Sequence, residues 1–414
     1  MEKTAEKIIE DLKKLPEVQK ALEEVDKELQ RAVEDQKELV LIEAPTGKEA
    51  RRAIRYAEML EQAGLEDVKV TSENNVYGYV RGSGNTGSCV LLEGHLDTVF
   101  SFGDVKDVQT DEEGRIHCPG ICDDTRALAA NLNVLRALKA AGICPVHDIV
   151  FAGTVAEEGL GGMRGMAALL DTLAKEKKIL GTISVDGPTA THFYANATGM
   201  TDWNVIYEGP GGHAWLKYGT PSALHAASRA VAKCADLELP AEPKTTQTVS
   251  LIEGGQAIHG IAQKASFKVN ARSNSALEME KLNEKLIKIF EQAAEEENRR
   301  WHSVGAIQVR IEKILDVPAG SQPRKAPIIQ LTEAATRGIG LEPMFKPGGC
   351  TNANMAIARK IPAVTVGRGG NEFGTHTLDE WFDPKGVEAC EKKSVLMLLA
   401  MAGVTGGTMP FPLT

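Results

Sequence analysis

The sequence predicts an α/β protein, with a mostly parallel sheet covered by helices on both faces and an inserted ferredoxin-like α+β domain. Apolar runs typical of buried strands alternate with helical stretches in the first and last parts of the chain, as in βαβ units. Between them, the order becomes strand-helix-strand-strand-helix-strand, the split βαβ pattern. Acidic or histidine residues follow several apolar runs, as at the carboxyl edge of a parallel sheet. We therefore expect one domain from residues 1–197 and 318–414, interrupted by a second over 198–317.

The first part of the chain begins with charged, helix-favouring residues over 1–40. Pro16 is expected to start a second helix there, because proline suits a first helical turn. An amphipathic helix over 48–63 ends at Gly64. The elements predicted after it are strands at 68–70, 76–80 and 89–92, a helix at 126–140, and strands at 148–155 and 183–185.

The inserted segment contains a long predicted helix, 276–298, with Leu282, Leu286 and Ile289 on one apolar face. Its other predicted elements are strands at 200–207, 248–252, 265–271 and 307–314 and a helix at 221–236. The α/β pattern then resumes with a helix at 326–338, a Gly-rich turn at 346–352, a strand at 362–367 and a final helix at 379–401.

Charge and composition argue against several classes of function. A chain of 414 residues can bury a large core. The formal charge of −10 argues against nucleic acid or an anionic membrane as a partner. Seven cysteines without CxxC pairs favour a reducing, cytoplasmic location. The charged N-terminus has no apolar signal core, and no run reaches the ~18 apolar residues of a membrane span.

Seven side chains near the predicted strand ends are candidates for one metal cluster. Two imidazoles with several carboxylates suit zinc best, with cobalt or manganese as alternatives. A carboxylate shared by two metals gives two near-equivalent sites ~3.5–4 Å apart that bridge a hydroxide. A carboxylate that binds no metal can then take the proton of that water. The candidates are His95, Asp97, Asp123, Glu157, Glu158, Asp186 and His376.

Structural alternatives remain for two of these motifs. Asp123 and Asp124 precede a helix, where aspartate is a common N-cap. Glu157 and Glu158 are adjacent, which is typical of a solvated surface pair, although the strand before them is strongly apolar. Spacing alone leaves open which glutamate would bind metal and which would act as a base.

Five motifs resemble those of the M20-type co-catalytic metallopeptidases, which include tripeptidase T, bacterial glutamate carboxypeptidase and aminoacylase. One such motif is weak, but five in the family's order and spacing are specific. The resemblance spans almost the whole chain and includes a lid or dimerisation domain at the predicted insertion. The motifs are Gly94-His95-Leu96-Asp97-Thr98, Gly120-Ile121-Cys122-Asp123-Asp124, Ala156-Glu157-Glu158-Gly159, Val185-Asp186-Gly187 and Gly374-Thr375-His376-Thr377.

The resemblance implies a role for each residue of the cluster. Asp123 would bridge two metals, with His95 and Asp186 completing one site. Glu158 and His376 would complete the other. Asp97 would hydrogen-bond the His95 ring and raise its basicity. Glu157 would be the general base and then the acid for the leaving amine, and the Asp123–Asp124 peptide would be cis.

The resemblance also suggests substrate contacts and a homodimer formed through the inserted domain. His213, in a Gly-rich segment, would reach a neighbouring active site and stabilise an oxyanion; the alternative is a surface histidine. Arg272 would grip a substrate carboxylate with its bidentate fork; the alternative is a surface ion pair. Gly349, Thr351 and Asn352 resemble part of a substrate loop; the alternative is the start of a helix.

The function implied is a zinc-dependent exopeptidase that cleaves small peptides. Among relatives, aspartate at the position of Asp186 accompanies peptidases that read a free α-amine, which favours an aminopeptidase or tripeptidase-like activity. The alternative is an N-acyl or N-carbamoyl amino-acid amidohydrolase or a carboxypeptidase of the same family. A non-catalytic binding module would need lost ligands, and every expected ligand is present. Thr125 departs from the lysine that many members carry there.

Overall fold

The computed structural model describes residues 4–413 and divides into two compact units. The first unit is formed by the chain up to Ala197 and from Gln322 onward, and the second is Thr198–Ser321. The second unit thus extends four residues past the predicted boundary at 317. Among the described residues, no helix has the length and apolar character needed to cross a membrane.

Helices lie close to the predicted ranges 48–63, 126–140, 221–236, 276–298 and 326–338, and Pro16 is the first residue of the second helix, as expected. A short 3₁₀ turn also lies at Gly159–Gly161. The helices within residues 4–413 are α1 (Ala5–Leu12), α2 (Pro16–Lys27), α3 (Leu29–Leu41), α4 (Ala50–Gln62), α5 (Thr125–Ala141), α6 (Arg164–Leu173), α7 (Ala223–Ala235), α8 (Ala276–Arg300), α9 (Pro327–Gly338), α10 (Ala353–Ala358) and α11 (Glu388–Ala402).

The strands include several short pieces that the sequence did not predict. In the same range of residues they are β1 (Glu66–Val70), β2 (Val76–Val80), β3 (Ser88–His95), β4 (Gln109–Thr110), β5 (Ile116–His117), β6 (Asp148–Thr154), β7 (Lys178–Gly187), β8 (His192–Tyr194), β9 (Gly199–Glu208), β10 (Gly212–His213), β11 (Thr245–Gly254), β12 (Gly260–Ile261), β13 (Lys264–Ser273), β14 (Gln308–Val317), β15 (Met344–Lys346), β16 (Ala363–Gly367), β17 (Asn371–Phe373) and β18 (Trp381–Asp383).

The first unit is built on an eight-stranded sheet in the order β1-β2-β6-β3-β7-β16-β8-β15. Its centre is parallel, because β3 pairs in parallel with both β6 and β7, and β7 pairs in parallel with β16. Helices α5 and α6 connect these strands in chain order. The carboxyl ends of β6, β3, β7 and β16 therefore meet at one edge of the sheet.

Both faces of this sheet are covered, since β2, β6 and β16 are buried along their whole length and β3 at all but its first residue. One apolar core joins strand residues such as Leu92 and Phe151 to Tyr56 of α4, Leu128 of α5 and Leu398 of α11. Burying each such side chain stabilises the fold by about 1.5–3 kcal/mol. The predicted α/β class, with its mostly parallel sheet, is confirmed.

The final helix begins later than the sequence suggested. It starts at Glu388 instead of residue 379, and residues 381–383 form β18. Strand β18 pairs with β5 and β17 in a small sheet of order β17-β18-β5-β4, where Phe382 is buried. Pro384 and Gly386 follow β18 and disfavour a helix there, so the apolar residues Trp381 and Phe382 pack as a strand.

The second unit has the ferredoxin-like order expected from its sequence. Strands β9, β11, β13 and β14 form an antiparallel sheet in the order β11-β13-β9-β14, with α7 between the first and second strands and α8 between the third and fourth. Residues of β13 alternate between buried and more exposed, so one face packs against the helices through residues such as Phe267 and Phe290. Ser275 caps α8 by accepting a hydrogen bond from the Glu278 N–H at 3.4 Å.

Candidate metal centre

Three parallel strands of the first unit bring candidate ligands to the same edge of the sheet. His95 is the last residue of β3, and Asp186 is the next to last of β7. Glu157 and Glu158 follow β6 after two connecting residues. Because neighbouring parallel strands end together, these side chains lie close in space although they are far apart in the sequence.

On one side of the cluster, His95 contacts carboxylates through its Nε2 atom. This atom lies 3.0 Å from Asp123 Oδ1 and 4.0 Å from Asp186 Oδ1. It also lies 4.0 Å from Asp124 Oδ2, and the His95 side chain is only 1% exposed. These four residues can each offer a ligand atom within 4.8 Å of the others, so the group is large enough to hold one ion.

The other side of the cluster uses the second oxygen of Asp123. His376 Nε2 lies 3.2 Å from Asp123 Oδ2 and 2.7 Å from Glu158 Oε1. His376 comes from the loop between β17 and β18, and its side chain is 47% exposed. Asp123 therefore presents Oδ1 to one imidazole and Oδ2 to the other, which is the geometry of a bridging carboxylate.

The donor atoms of this cluster fit two divalent ions. Each half contains one imidazole and at least one carboxylate besides the shared Asp123, with all ligand atoms within 4.8 Å. Mixed imidazole and carboxylate sites of this kind suit zinc, and also cobalt or manganese. His95 and Asp186 fall in one of these groups and Glu158 and His376 in another, and their roles as metal ligands stay predictions.

Asp97 contacts the peptide groups of the two glutamates. Its Oδ1 accepts a hydrogen bond from the Glu157 N–H and its Oδ2 from the Glu158 N–H, each at 3.0 Å. Thr46 Oγ1 donates to the same Oδ2 at 2.9 Å. Burial opposes ionisation, but these hydrogen bonds and the neighbouring His95 outweigh it and lower the pKa of Asp97.

The His95 ring was expected to donate a hydrogen bond to the Asp97 carboxylate, but it bonds to the Asp97 main-chain carbonyl instead. His95 Nδ1 lies 3.0 Å from the Asp97 main-chain carbonyl, whereas the carboxylate is 3.5 Å away. A carbonyl only accepts, so Nδ1 carries a proton, and Nε2 faces Asp123 Oδ1 on the side where a metal would bind.

Glu157 is the carboxylate of the pair that lies deeper. It is 8% exposed and sits within ligand distance of His95 and Glu158. Its pKa is raised well above the ordinary value, chiefly because burial disfavours the charged form and also because Asp186 and Glu158 are negative. A carboxyl group with a raised pKa binds a proton more readily than an ordinary glutamate does, which is the property that a general base needs.

The turn that carries Asp123 has a cis peptide between Asp123 and Asp124, as predicted. Glu380, whose role the sequence did not reveal, fixes this turn through its carboxylate. Its carboxylate accepts hydrogen bonds from the N–H groups of Gly120 at 2.9 Å, Cys122 at 2.7 Å and Asp123 at 3.4 Å. The Thr125 hydroxyl donates to the carbonyls of Gly120 and Ile121.

Sequence reasoning also missed Arg368, which follows β16 directly. Its Nη1 lies 3.0 Å from Asp186 Oδ1, 3.1 Å from Asp123 Oδ1 and 3.4 Å from Asp124 Oδ1. The signal that could have found it is its place after the fourth parallel strand, since the other three strand ends already carried candidates.

The backbone adopts unusual conformations next to the cluster. Ala156 and His376 have φ angles of +56° and +68°, a region that non-glycine residues rarely use. Ala156 immediately precedes the glutamate pair. Such strained positions concentrate at functional sites, where the surrounding structure holds them in place.

Two of the residues expected to bind substrate direct their side chains into the core. Asn352 Nδ2 donates to Glu93 Oε2 at 3.0 Å and to Thr154 Oγ1 at 2.8 Å, and the residue is 2% exposed. The Thr351 hydroxyl lies 2.6 Å from that of Thr365. These contacts correspond to the alternative left open for this segment, since α10 starts at the next residue. Gly349 packs against the ring of Tyr194.

The remaining two predicted residues, His213 and Arg272, belong to the second unit. His213 is exposed in β10, and its Nδ1 accepts hydrogen bonds from the N–H groups of Trp215 and Leu216 at 3.2 and 3.4 Å. Arg272 is exposed in β13 and donates to Asn270 Oδ1 at 3.1 Å. Their roles toward substrate stay predictions.

The fold and the cluster together define a class. A parallel α/β sheet with imidazoles and carboxylates at its carboxyl edge, interrupted by a ferredoxin-like unit, is the architecture of a metallopeptidase-type hydrolase. A family model described as Peptidase family M20/M25/M40 matches residues 91–401, and the chain therefore belongs to that family.

Individual proteins are similar over most of the chain. An uncharacterised protein, YqjE of Bacillus subtilis (strain 168), is 27% identical over 373 residues, covering 84% of this chain and 92% of its own. The crystal structure of a tripeptidase from Staphylococcus aureus has a TM-score of 0.74 at 22% identity, and the match covers 89% of this chain and 97% of the tripeptidase chain. An amidase of the hydantoinase/carbamoylase family from Burkholderia vietnamiensis has a TM-score of 0.65 at 17% identity, covering 90% and 97%. At these identities, the two structures show the fold alone.

Proposed function

We propose that this protein is an exopeptidase acting on small peptides, aminopeptidase- or tripeptidase-like, with two divalent metal ions, zinc being the expected metal. The observation that carries the proposal is the position of Asp123, whose two oxygens face two different imidazoles at 3.0 and 3.2 Å. A tripeptidase of known structure shares the fold.

In this proposal, His95 and Asp186 hold one ion, Glu158 and His376 hold the other, and Asp123 is shared. Divalent ions at such a centre supply Lewis acidity, which polarises a carbonyl and lowers the pKa of water. The buried His95 half and the half-exposed His376 half suggest that substrate approaches from the His376 side.

Glu157 is proposed as the general base. It takes a proton from water during attack on the scissile carbonyl and then delivers a proton to the leaving nitrogen. Two features support this role: its raised pKa, and the fixing of its main chain by Asp97. Glu158, fixed by the same carboxylate, has its own side chain turned to His376 at 2.7 Å. The two adjacent glutamates thus have separate tasks.

The finer aspects of the proposal concern the substrate and the assembly. The aspartate at position 186 favours a substrate with a free α-amine, as the resemblance to the M20-type metallopeptidases implies. Arg272 and His213 are proposed to contact the substrate, with His213 contributed by the partner in a homodimer formed through the inserted unit. A cytoplasmic location is proposed from the lack of CxxC pairs among the cysteines.

The second candidate is an N-acyl or N-carbamoyl amino-acid amidohydrolase, or a carboxypeptidase of the same family. It uses the same ligands and the same base. The specific observation in its favour is the similarity in fold to an amidase of the hydantoinase/carbamoylase family.

A substrate panel separates the two candidates. Trialanine, N-acetyl-trialanine, dipeptides and N-carbamoyl-alanine are each incubated with the zinc-, cobalt- or manganese-loaded protein, and product is measured by chromatography. Cleavage that requires the free amine supports the peptidase, and preference for the blocked compounds supports the amidohydrolase.

Glu157→Ala is the matched control for this panel. It is expected to keep its metal content and to lose about 10²–10⁴-fold in kcat, because it removes the proton carrier and no proposed ligand. Unchanged turnover by this variant would reject Glu157 as the base.

A further inference from the structure

Arg368 places a guanidinium group against only one half of the metal centre. Its Nη1 is within 3.1 Å of Asp186 Oδ1 and Asp123 Oδ1, the two carboxylate oxygens that also face His95. Among residues 4–413, Glu158 and His376 form no ion pair with an arginine or lysine. The two halves, similar in ligand type, therefore differ in their nearest fixed charge.

The guanidinium is built into this position and has little freedom to leave it. Arg368 is 3% exposed, and its Nε donates to Glu372 Oε2 at 3.0 Å. Its main-chain N–H donates to the Gly187 carbonyl at 2.8 Å, and its own carbonyl accepts from Arg126 Nε at 3.2 Å. Contacts on three sides thus fix both the backbone and the head group of this side chain.

We propose that Arg368 makes the two metal positions unequal, so that the Asp123/Glu158/His376 position fills first and the His95/Asp123/Asp186 position fills at higher metal concentration. Two causes act together. The guanidinium donates to the oxygens that an ion beside His95 needs, and its positive charge repels that ion among side chains that are largely buried. The expected difference between the two dissociation constants is at least about tenfold, since a fixed unit charge a few ångströms away acts through a low effective dielectric.

The same contacts give Arg368 a second effect before any metal binds. Asp123, Asp124 and Asp186 are three carboxylates in a buried space, and Arg368 contacts all of them. Removing the guanidinium leaves three neighbouring carboxylates without their positively charged partner, which destabilises the metal-free protein. Because metal and arginine would serve the same oxygens, added metal should then stabilise the variant more than it stabilises the wild type.

The test is metal titration of the full-length protein after chelator treatment and dialysis. Zinc binding is followed by calorimetry and the bound zinc by elemental analysis, for the wild type, Arg368→Met and Arg368→Lys. The wild type should bind in two steps separated by at least about tenfold. In Arg368→Met, the weaker step should tighten toward the stronger one, whereas Arg368→Lys, which keeps a cation, should retain the separation. Two equal steps in the wild type, or a weaker step that is unchanged or lost in Arg368→Met, would overturn the proposal.

Thermal unfolding provides the second readout and guards against a folding defect. Arg368→Met should have a lower melting temperature than the wild type without metal, and saturating zinc should raise its melting temperature by more. An equal or smaller rise also overturns the proposal.

If Arg368→Met does not fold, Glu372→Gln is used in its place. This variant leaves the charge of the guanidinium less neutralised, so the weaker zinc-binding step should become weaker still, and an unchanged weaker step overturns the proposal. Arg359→Met is the matched control, since Arg359 pairs with Asp171 on the surface at 3.0 Å and both zinc steps should be unaltered.

The inference rests on the two-metal part of the proposed function and is independent of hydrolysis. Metal binding and peptide turnover are measured separately, so the two can fail separately. Unequal binding of two zinc ions without peptide cleavage would retain the role of Arg368 and refute the exopeptidase. Peptide cleavage by a protein that binds two zinc ions with equal affinity would retain the exopeptidase and refute the role of Arg368.

Discussion

Glu380 provides the sharpest test of how the bridging aspartate is held. Its side chain is buried and accepts hydrogen bonds from three N–H groups in the turn before α5, at 2.7, 2.9 and 3.4 Å. Glu380→Ala removes all three acceptors at once. The turn would then keep buried N–H groups with no partner, and the Asp123 carboxylate would lose its fixed direction.

The magnitude follows from the two short bonds. A hydrogen bond to a charged group contributes about 1.5–3 kcal/mol, so two give about 3–6 kcal/mol. Part of this is offset because the buried carboxylate itself is unfavourable, and burial is the main reason why the pKa of Glu380 is raised. We expect a net loss of about 3 kcal/mol, a large share of the 5–15 kcal/mol that holds a typical domain folded.

The assay is urea unfolding of the metal-free protein, followed by circular dichroism, together with zinc affinity measured by calorimetry. Glu380→Gln should lose less, about 1–2 kcal/mol, because its one carbonyl oxygen can still serve the two N–H groups that share Oε1. Glu112→Ala, an exposed glutamate on the loop between β4 and β5, is the matched control and should change stability by less than about 0.5 kcal/mol. A Glu380→Ala protein with wild-type stability and zinc affinity would refute the reasoning.

Two further predictions concern the cluster itself. Asp97→Ala is expected to lower the free energy of unfolding by about 3 kcal/mol, because the N–H groups of Glu157 and Glu158 and the Thr46 hydroxyl lose their buried acceptor; a loss below about 1 kcal/mol in urea unfolding would contradict this. His376→Ala is expected to abolish the tighter of two zinc-binding steps and keep the weaker one, as counted by calorimetry and elemental analysis; retention of both steps would remove His376 from the proposed ligands.

Much of the fold was predictable because its signals are local. The apolar runs 89–92 and 148–155 have the length and composition of buried parallel strands, and they became β3 and β6. The start of α11 was not predictable in the same way. Trp381 and Phe382 suit a helix or a strand in isolation. Pro384 and Gly386 disfavour the helix, and pairing with β17 and β5 makes the segment a strand.

The candidate site shows the same division between local and long-range information. Ligand-type residues that follow an apolar run were visible, and the structure brings His95, Asp123, Glu158, Asp186 and His376 together. Side chains that contact the site from a remote part of the sequence could not be predicted. Nothing near Glu380 in the sequence indicates that its carboxylate accepts hydrogen bonds from a turn 257–260 positions earlier. The direction of a side chain is also non-local, as for Asn352, which turns to Glu93 because a buried carboxylate needs donors.

The concentration of carboxylates around Asp186 implies that metal binding releases protons. Folding alone gains little from buried charges, and apolar residues of similar volume often serve stability as well or better. Burial, and next the negative charge of Asp123, raise the pKa of Asp186 to about 7, while His95 and Arg368 oppose the shift. Below that pH, the carboxyl group holds a proton that an ion must displace, so zinc affinity should fall as the pH drops from 7.5 to 6. Hydrogen bonds to Asp123 and Glu158 raise the pKa of His376 to about 10, so this ligand also releases a proton to an ion, and zinc affinity should continue to rise above pH 8. Calorimetry in buffers of different ionisation enthalpy measures the protons released. We expect a larger release at pH 6.5 than at pH 8, and an equal release at both would show that Asp186 is already ionised before the metal arrives.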